Sequence, residues 1–213
     1  YLKFPVVSGN VSFYNQTKDE GIKPTPAIGG VGLIKNYKNM VTMEFKEFDN
    51  LVLVIGKTEG HIDQSLFARA ILDEKNGPPP EVNLFNEKNN GESLLNLINK
   101  DYIQSAHDIS LGGLITAISK MCIQGNKGIK LKKANNFVNE LEYLFCEDQG
   151  RYIIEIKPED LKEVTNLLDK NSVHYDELGI ITDKDIIINQ KTKLTIDELK
   201  SYYTNWLTNY MSA

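Results

Sequence analysis

The sequence predicts an α+β domain over residues 49–213, preceded by the β-rich end of another domain over residues 1–48. Three observations carry that reading. Beyond residue 49, apolar runs of strand length alternate with segments of helical periodicity. Before it, Gly, Asn, Pro and β-forming residues dominate. Between the two, Phe48-Asp49-Asn50 marks a break in texture.

Pro5 to Phe48 reads as loop and strand, with turn signals at Gly9-Asn10, Gly21 and Pro24 to Pro26. Val31–Ile34 and Met40–Phe45 are the strand candidates there. Leu51–Ile55 is a continuous apolar run suited to a buried strand. Gln64–Leu72 reads as a short helix, stopped by Gly77-Pro78-Pro79-Pro80. Val82–Asn99 is helical through Leu84, Leu94, Leu95 and Ile98. Ile103–Ile109 is a strand, and Gly112–Ile123 a helix with Leu114, Ala117, Ile118 and Met121 on one face. Its Gly-Gly start admits a close neighbour.

Strands are expected at Gly128–Leu131, Tyr152–Ile156, Leu178–Ile181 and Asp185–Ile188. Pro158 opens a helix carrying Leu161, Val164, Leu167 and Leu168. The last helix begins at Thr195 with Glu198 three residues on, a capping-box signature. Leu199, Tyr202, Tyr203, Trp206, Leu207 and Tyr210 share one face of it, which is expected to pack into a core.

With 213 residues, 41% hydrophobic and 25% charged, the composition excludes disordered and fibrous classes. The net charge of −5, with both signs interspersed, argues against nucleic acid as a partner. No apolar run approaches the roughly 18 residues of a membrane helix and no leader pattern opens the chain, so no membrane partner and a cytoplasmic location are expected. Cys122 and Cys146 sit on apolar patterns and read as buried thiols, not as a disulfide or a zinc site.

Four polar clusters could carry chemistry. Ser8-Gly9-Asn10-Val11-Ser12-Phe13-Tyr14-Asn15 offers backbone donors for phosphate, a hard carboxamide oxygen suited to Mg²⁺ and a hydroxyl for substrate. A capped turn accounts for it as well. Gly29-Gly30-Val31-Gly32 matches no nucleotide fingerprint and reads as a tight turn. Ala106-His107-Asp108-Ile109-Ser110-Leu111-Gly112-Gly113 lies at a strand-to-helix junction. There His107 and Asp108 are expected on opposite faces, and Asp108 or Ser110 to cap the helix. Glu147-Asp148-Gln149-Gly150-Arg151 reads as a solvated turn with a local Arg partner. No catalytic residue is assigned within the chain.

Taken in order, "PVVSGNVSFYNQT", "PTPAIGGVGLI", "SAHDISLGGL", "FCEDQGRYIIEI" and "WLTNYM" resemble the last part of the large, ATP-binding subunit of the phosphoribosylformylglycinamidine synthase family, within the AIR synthetase-related superfamily. "SGNVSFYN" is the most specific of these pieces. The resemblance implies the C-terminal domain of an AIR synthetase-like fold, preceded by the end of the second α/β ATP-binding domain. It implies a ligase that uses ATP and glutamine-derived ammonia to convert formylglycinamide ribonucleotide to formylglycinamidine ribonucleotide in purine biosynthesis. Carried onto this sequence, Gly9 would contact ATP, Asn10 would ligate Mg²⁺ and Ser12 would touch the substrate.

Implied partners are the upstream repeat of the same polypeptide, a glutaminase subunit and a small bridging subunit. The family usually has an acidic residue where Leu111 stands, and no role is assigned at that position. Opening without an initiator Met, the chain is expected to be a piece of a longer protein and inactive by itself. The readings beside this one are a structural, subunit-contact module of the same enzyme and a free-standing ligand-binding domain.

Overall fold

The computed structural model describes residues 1–10, 14–22, 25–132 and 139–212. It divides into two compact units, Tyr1–Lys38 and Asn39–Ala213.

The first unit is exposed throughout its described residues. Its regular structure is a two-residue antiparallel pair, β1 (Gln16–Thr17) with β2 (Glu20–Gly21). Lys18 takes a left-handed φ of 57° between them, and Ile22 N–H closes the pair on the Asn15 carbonyl at 2.9 Å. Val31–Ile34 forms no strand; Val31 and Leu33 are 94% and 98% exposed.

In the second unit, β3 (Leu51–Ile55) runs through the middle of a seven-stranded sheet. After it come α1 (Leu66–Ala70), α2 (Leu84–Asn99), β4 (Ser105–Asp108), α3 (Gly113–Gly125), β5 (Gly128–Leu131) and α4 (Glu140–Phe145). β6 (Tyr152–Ile156), α5 (Leu161–Lys170), β7 (Tyr175–Thr182), β8 (Asp185–Ile188), β9 (Thr192–Thr195) and α6 (Ile196–Met211) complete it. The sheet order is β4-β6-β3-β7-β5-β8-β9, antiparallel at every pairing except β5 with β8. Helices and a mixed sheet make the fold α+β, as the sequence predicts.

Strand periodicity of two sends alternate side chains to opposite faces, and both faces are covered. Val52, Val54 and Ile153 join Leu114, Ile118 and Met121 of α3, Leu144 of α4 and Ile196 of α6. Leu53, Ile55, Ile154 and Ile156 join Leu97 of α2 with Val164 and Leu168 of α5. A strand buried on both faces must be apolar at every position, which is why Leu51–Ile55 reads as an uninterrupted run.

Helix starts follow local chemistry. Asn83 caps α2 by accepting from Asn86 N–H at 3.0 Å, Asn139 and Glu142 form a capping box on α4, and the Thr195 side chain accepts from Glu198 N–H. Pro158 opens a single 3₁₀ turn, Pro158–Asp160, ahead of α5. The Gly-Gly start of α3 is required: Gly113 has φ +70°, and a Cβ there would lie 2.7 Å from the Phe145 carbonyl carbon.

Four further elements depart from the sequence reading. Met40–Phe45 forms only an isolated bridge, Thr42 with Ser105, because the next backbone donors, Lys46 and Glu47 N–H, are taken by the Glu155 carboxylate instead of a ladder. α4 and β9 are elements the periodicity did not announce. Most of the distal face of α6 is exposed rather than buried: Tyr202, Trp206 and Tyr210 are 72%, 60% and 74% accessible.

Candidate functional site

The N-terminal cluster is placed only in part. Gly9 and Asn10 are exposed and lie outside any helix or strand, and a Cβ on Gly9 would meet nothing within 4 Å. Packing within the described residues therefore gives no reason for glycine at position 9. Val11, Ser12 and Phe13 lie outside the described residues, so Ser12, the expected substrate contact, has no geometry here. Tyr14 is exposed. Among the described residues no group of three or more His, Cys, Asp or Glu side chains is arranged to hold a metal. The Asn10 carboxamide oxygen is a hard donor of the kind that suits Mg²⁺, and it is a single donor where that ion takes about six.

Gly29-Gly30-Val31-Gly32 lies exposed in the first unit, outside any helix or strand, whereas the clusters at 106–113 and 147–151 come together at the end of the sheet where β4 stops and β6 begins. Here the acidic side chains are engaged with backbone amides. Asp148 accepts from Glu59, Gly60 and His61 N–H at 2.8, 3.0 and 3.1 Å, holding the loop between β3 and α1. Burial works to raise its pKa; the Glu59 and Gly60 N–H donors and the Arg151 charge overcome that and leave it lowered. Glu147 accepts from Leu66 N–H at 2.7 Å and Gly112 N–H at 2.8 Å, one carboxylate serving the starts of α1 and α3. The solvated-turn reading of this cluster is thereby overturned: Asp148 is buried, and so is Arg151. The guanidinium of Arg151 donates to the Cys146 and Asp148 carbonyls and the Thr58 hydroxyl.

At the junction itself, His107 Nδ1 lies 3.0 Å from Asp108 Oδ1. Adjacent strand residues were expected to point apart; Asp108 ends β4, so its side chain is free to turn back. Burial tends to raise the Asp108 pKa, and hydrogen bonds from Ser110 and His107 outweigh it to leave the carboxyl lowered. His107 Nε2 is buried and finds no hydrogen-bond partner. Neither Asp108 nor Ser110 caps α3; the cap position is Gly112 in a left-handed conformation, and Glu147, 35 residues on, supplies the acceptor. Leu111, where an acid is usual in the resembled family, is exposed.

The sequence reading missed Glu155. It is fully buried and receives four donors, two on each oxygen: Lys46 N–H and Ser105 Oγ at 2.8 and 2.7 Å, Glu47 N–H and Asn50 Nδ2 at 3.0 and 2.8 Å. Its only signal was one acid interrupting an otherwise apolar strand. Cys146 is buried, which pushes its thiol up to about 11, and burial raises Cys122 further. Neither is a nucleophile at neutral pH. The carboxylates at this end of the sheet hold turns and helix ends in register, and His107 Nε2 is the buried side-chain atom among the described residues that they leave without a partner.

The family model for the AIR synthase related protein, C-terminal domain, matches residues 49–189. The chain belongs to that family. Within it, the chain is 72% identical over 211 residues to phosphoribosylformylglycinamidine synthase subunit PurL of Pelagibacter ubique, covering 99% of this chain and 29% of that one. It is 40% identical over 210 residues to the PurL subunit of Bartonella henselae, covering 99% and 28%. The chain thus spans less than a third of the length of the curated relatives it matches. Among solved structures, Thermotoga maritima PurL complexed with FGAR superposes with TM-score 0.63 at 16% identity, covering 76% of this chain and 30% of that one. PurLQS from the same organism gives 0.61 at 17%, covering 76% and 28%, and PurL complexed with ATP gives 0.59 at 15%, covering 76% and 27%. At these identities the likeness is one of fold. No helix among the described residues is long and apolar enough to cross a membrane.

Proposed function

We propose that this chain is part of a phosphoribosylformylglycinamidine synthase, the purine-biosynthesis ligase that joins ammonia derived from glutamine to formylglycinamide ribonucleotide at the expense of ATP. The observation that carries the reading is 72% identity across 99% of the chain to a PurL subunit. Residues 1–48 are assigned to the end of an ATP-binding domain and 49–213 to the α+β domain that follows it. In this reading Gly9 lets backbone donors approach ATP, Asn10 gives one oxygen to Mg²⁺ and the Ser12 hydroxyl meets the substrate. Asn10 would be one of the residues holding Mg²⁺, which would supply positive charge to offset that on the phosphoryl group. Exposure of Gly9 and Asn10 supports the assignment, because a site completed by residues of a longer polypeptide leaves its share open when those residues are absent.

Residues 49–213 serve in the main as scaffold. The satisfied carboxylates of Glu147, Asp148 and Glu155 favour that division over a second catalytic centre in this domain. A glutaminase subunit, a small bridging subunit and a cytoplasmic location belong to the same reading. The Thermotoga maritima relative has been solved as PurLQS and in complexes with ATP and with FGAR.

The test is ammonia-dependent synthesis of formylglycinamidine ribonucleotide by a polypeptide of the relatives' length that carries this sequence. Turnover is expected with ATP and Mg²⁺ and is expected to vanish for the 213 residues alone. Absence of turnover by the longer polypeptide with all three substrates would overturn the proposal.

A further inference from the structure

Two Asn-Gly pairs occur in the chain, and the fold treats them in opposite ways. Asn90-Gly91 lies inside α2, where Asn90 is 6% exposed and its side-chain amide donates to the Gly150 carbonyl at 2.9 Å. Asn76-Gly77 lies exposed in the loop between α1 and α2, outside any helix or strand. Among the described residues, neither the Asn76 carboxamide nor the Gly77 N–H takes part in a hydrogen bond.

Glycine is needed at position 77 for the fold's own reasons. Its φ is +96°, and a Cβ there would lie 2.4 Å from Asp63 Oδ2. The loop is also held on either side of Asn76. Gln64 Nε2 donates to the Lys75 carbonyl at 2.9 Å and to the Gly77 carbonyl at 3.0 Å, one hydrogen to each. A step further on, His61 Nε2 lies 2.9 Å from the Pro78 carbonyl oxygen.

We propose that Asn76 is a site of spontaneous deamidation whose isoaspartyl product releases the Gln64 clamp. The backbone nitrogen of Gly77, with no side chain beside it to hinder approach, loses its proton to hydroxide and attacks Cγ of Asn76. A C–N bond forms, the Cγ–Nδ2 bond breaks, and the carboxamide nitrogen takes up a proton from water and leaves as ammonia. Water then opens the resulting five-membered succinimide at one of its two carbonyls. Opening at Cγ gives aspartate. Opening at the backbone carbonyl gives isoaspartate, whose main chain runs through the former side chain and is longer by one carbon. That carbon enters between the two carbonyls that the Gln64 amide spans, so one side chain no longer reaches both. Either product adds a negative charge to a loop that already carries Asp73 and Glu74.

The site is a property of this loop and does not depend on the synthase reading. To test it, the 213-residue protein is incubated in mildly alkaline buffer, and the peptides holding each Asn-Gly pair are followed by mass and by chromatography against synthetic aspartyl and isoaspartyl standards. Asn76 is expected to convert with release of ammonia, giving isoaspartate alongside aspartate. Asn90 is expected to convert at least about tenfold more slowly, because α2 must open locally before the Gly91 nitrogen can reach its side chain. In denaturant the two pairs are expected to react at similar rates, and in folded Asn76→Ser the ammonia release is expected to disappear. In the isoaspartyl protein the Gln64 side-chain amide protons are expected to exchange with solvent faster than in untreated protein.

Asn76 left unconverted, or converted no faster than Asn90, overturns the site. A difference between the pairs that persists in denaturant overturns it too, since it then belongs to neighbouring sequence and not to the fold. Aspartate without isoaspartate overturns the succinimide route, and isoaspartate with unchanged Gln64 exchange overturns the release of the clamp.

Discussion

In residues 39–213 the acids at the turns are spent on structure: Asp148 holds three amides, Glu147 two, and Glu155 four donors with no exposure at all. In residues 1–38 the opposite holds. Gly9 and Asn10 stand exposed outside any helix or strand, and apolar residues such as Val7 and Leu33 are almost wholly accessible. On the proposed reading residues 39–213 are scaffold and residues 1–38 are one side of a surface completed elsewhere. The two regions should therefore respond differently to the same kind of substitution.

The largest effect is expected at Glu155. Glu155→Ala leaves the buried Ser105 and Asn50 donors and the part-buried Lys46 and Glu47 N–H groups without their acceptor, and since each buried unsatisfied group costs about 1–3 kcal/mol, a loss of about 4 kcal/mol is expected in urea unfolding of the 213-residue protein. A loss under about 1 kcal/mol would erase the contrast.

Next comes a matched pair of glycines. Gly113→Ala must place a Cβ 2.7 Å from backbone at φ +70° and should cost about 2–4 kcal/mol, whereas Gly9→Ala, with open space around it, should change stability by less than about 0.5 kcal/mol. In the longer polypeptide the order reverses for nucleotide binding, where only Gly9→Ala should weaken ATP, measured by calorimetry.

Smaller, but diagnostic in sign, is Asp148. Its folded carboxyl lies below the ordinary value of about 3.9, so its contribution is complete at neutral pH and lost as pH falls through the folded-state pKa. Stability of the native protein should decline on acidification from about pH 4 more steeply than that of Asp148→Asn, which should cost about 1–3 kcal/mol at pH 7. Parallel pH profiles for the two would show that Asp148 does not carry charge in the fold.

The sheet was legible wherever burial imposes a period: Leu51–Ile55, Gly128–Leu131, Tyr152–Ile156 and Asp185–Ile188 are strands over those residues. Thr195 starts its helix as its side chain dictates. What escaped the sequence was contact between distant residues. Nothing near Gly112 announces that Glu147 will serve its N–H, and nothing near Lys46 announces Glu155, 109 residues away. The aromatic face of α6 was misread as core because periodicity shows that a face is apolar, not what covers it. The expected site was legible only through the order of motifs, since Ser, Gly and Asn side by side suit a turn as well as a phosphate.

The division between an open chemical segment and a closed scaffold is tested most directly by Asn10→Ala in the polypeptide of the relatives' length. kcat/KM for ATP should fall by at least on the order of tenfold with a raised Mg²⁺ requirement, as expected when a metal's ligand set is weakened, while the unfolding midpoint stays unchanged. Activity with an unaltered Mg²⁺ dependence, or a loss of activity that tracks a loss of stability, would contradict it.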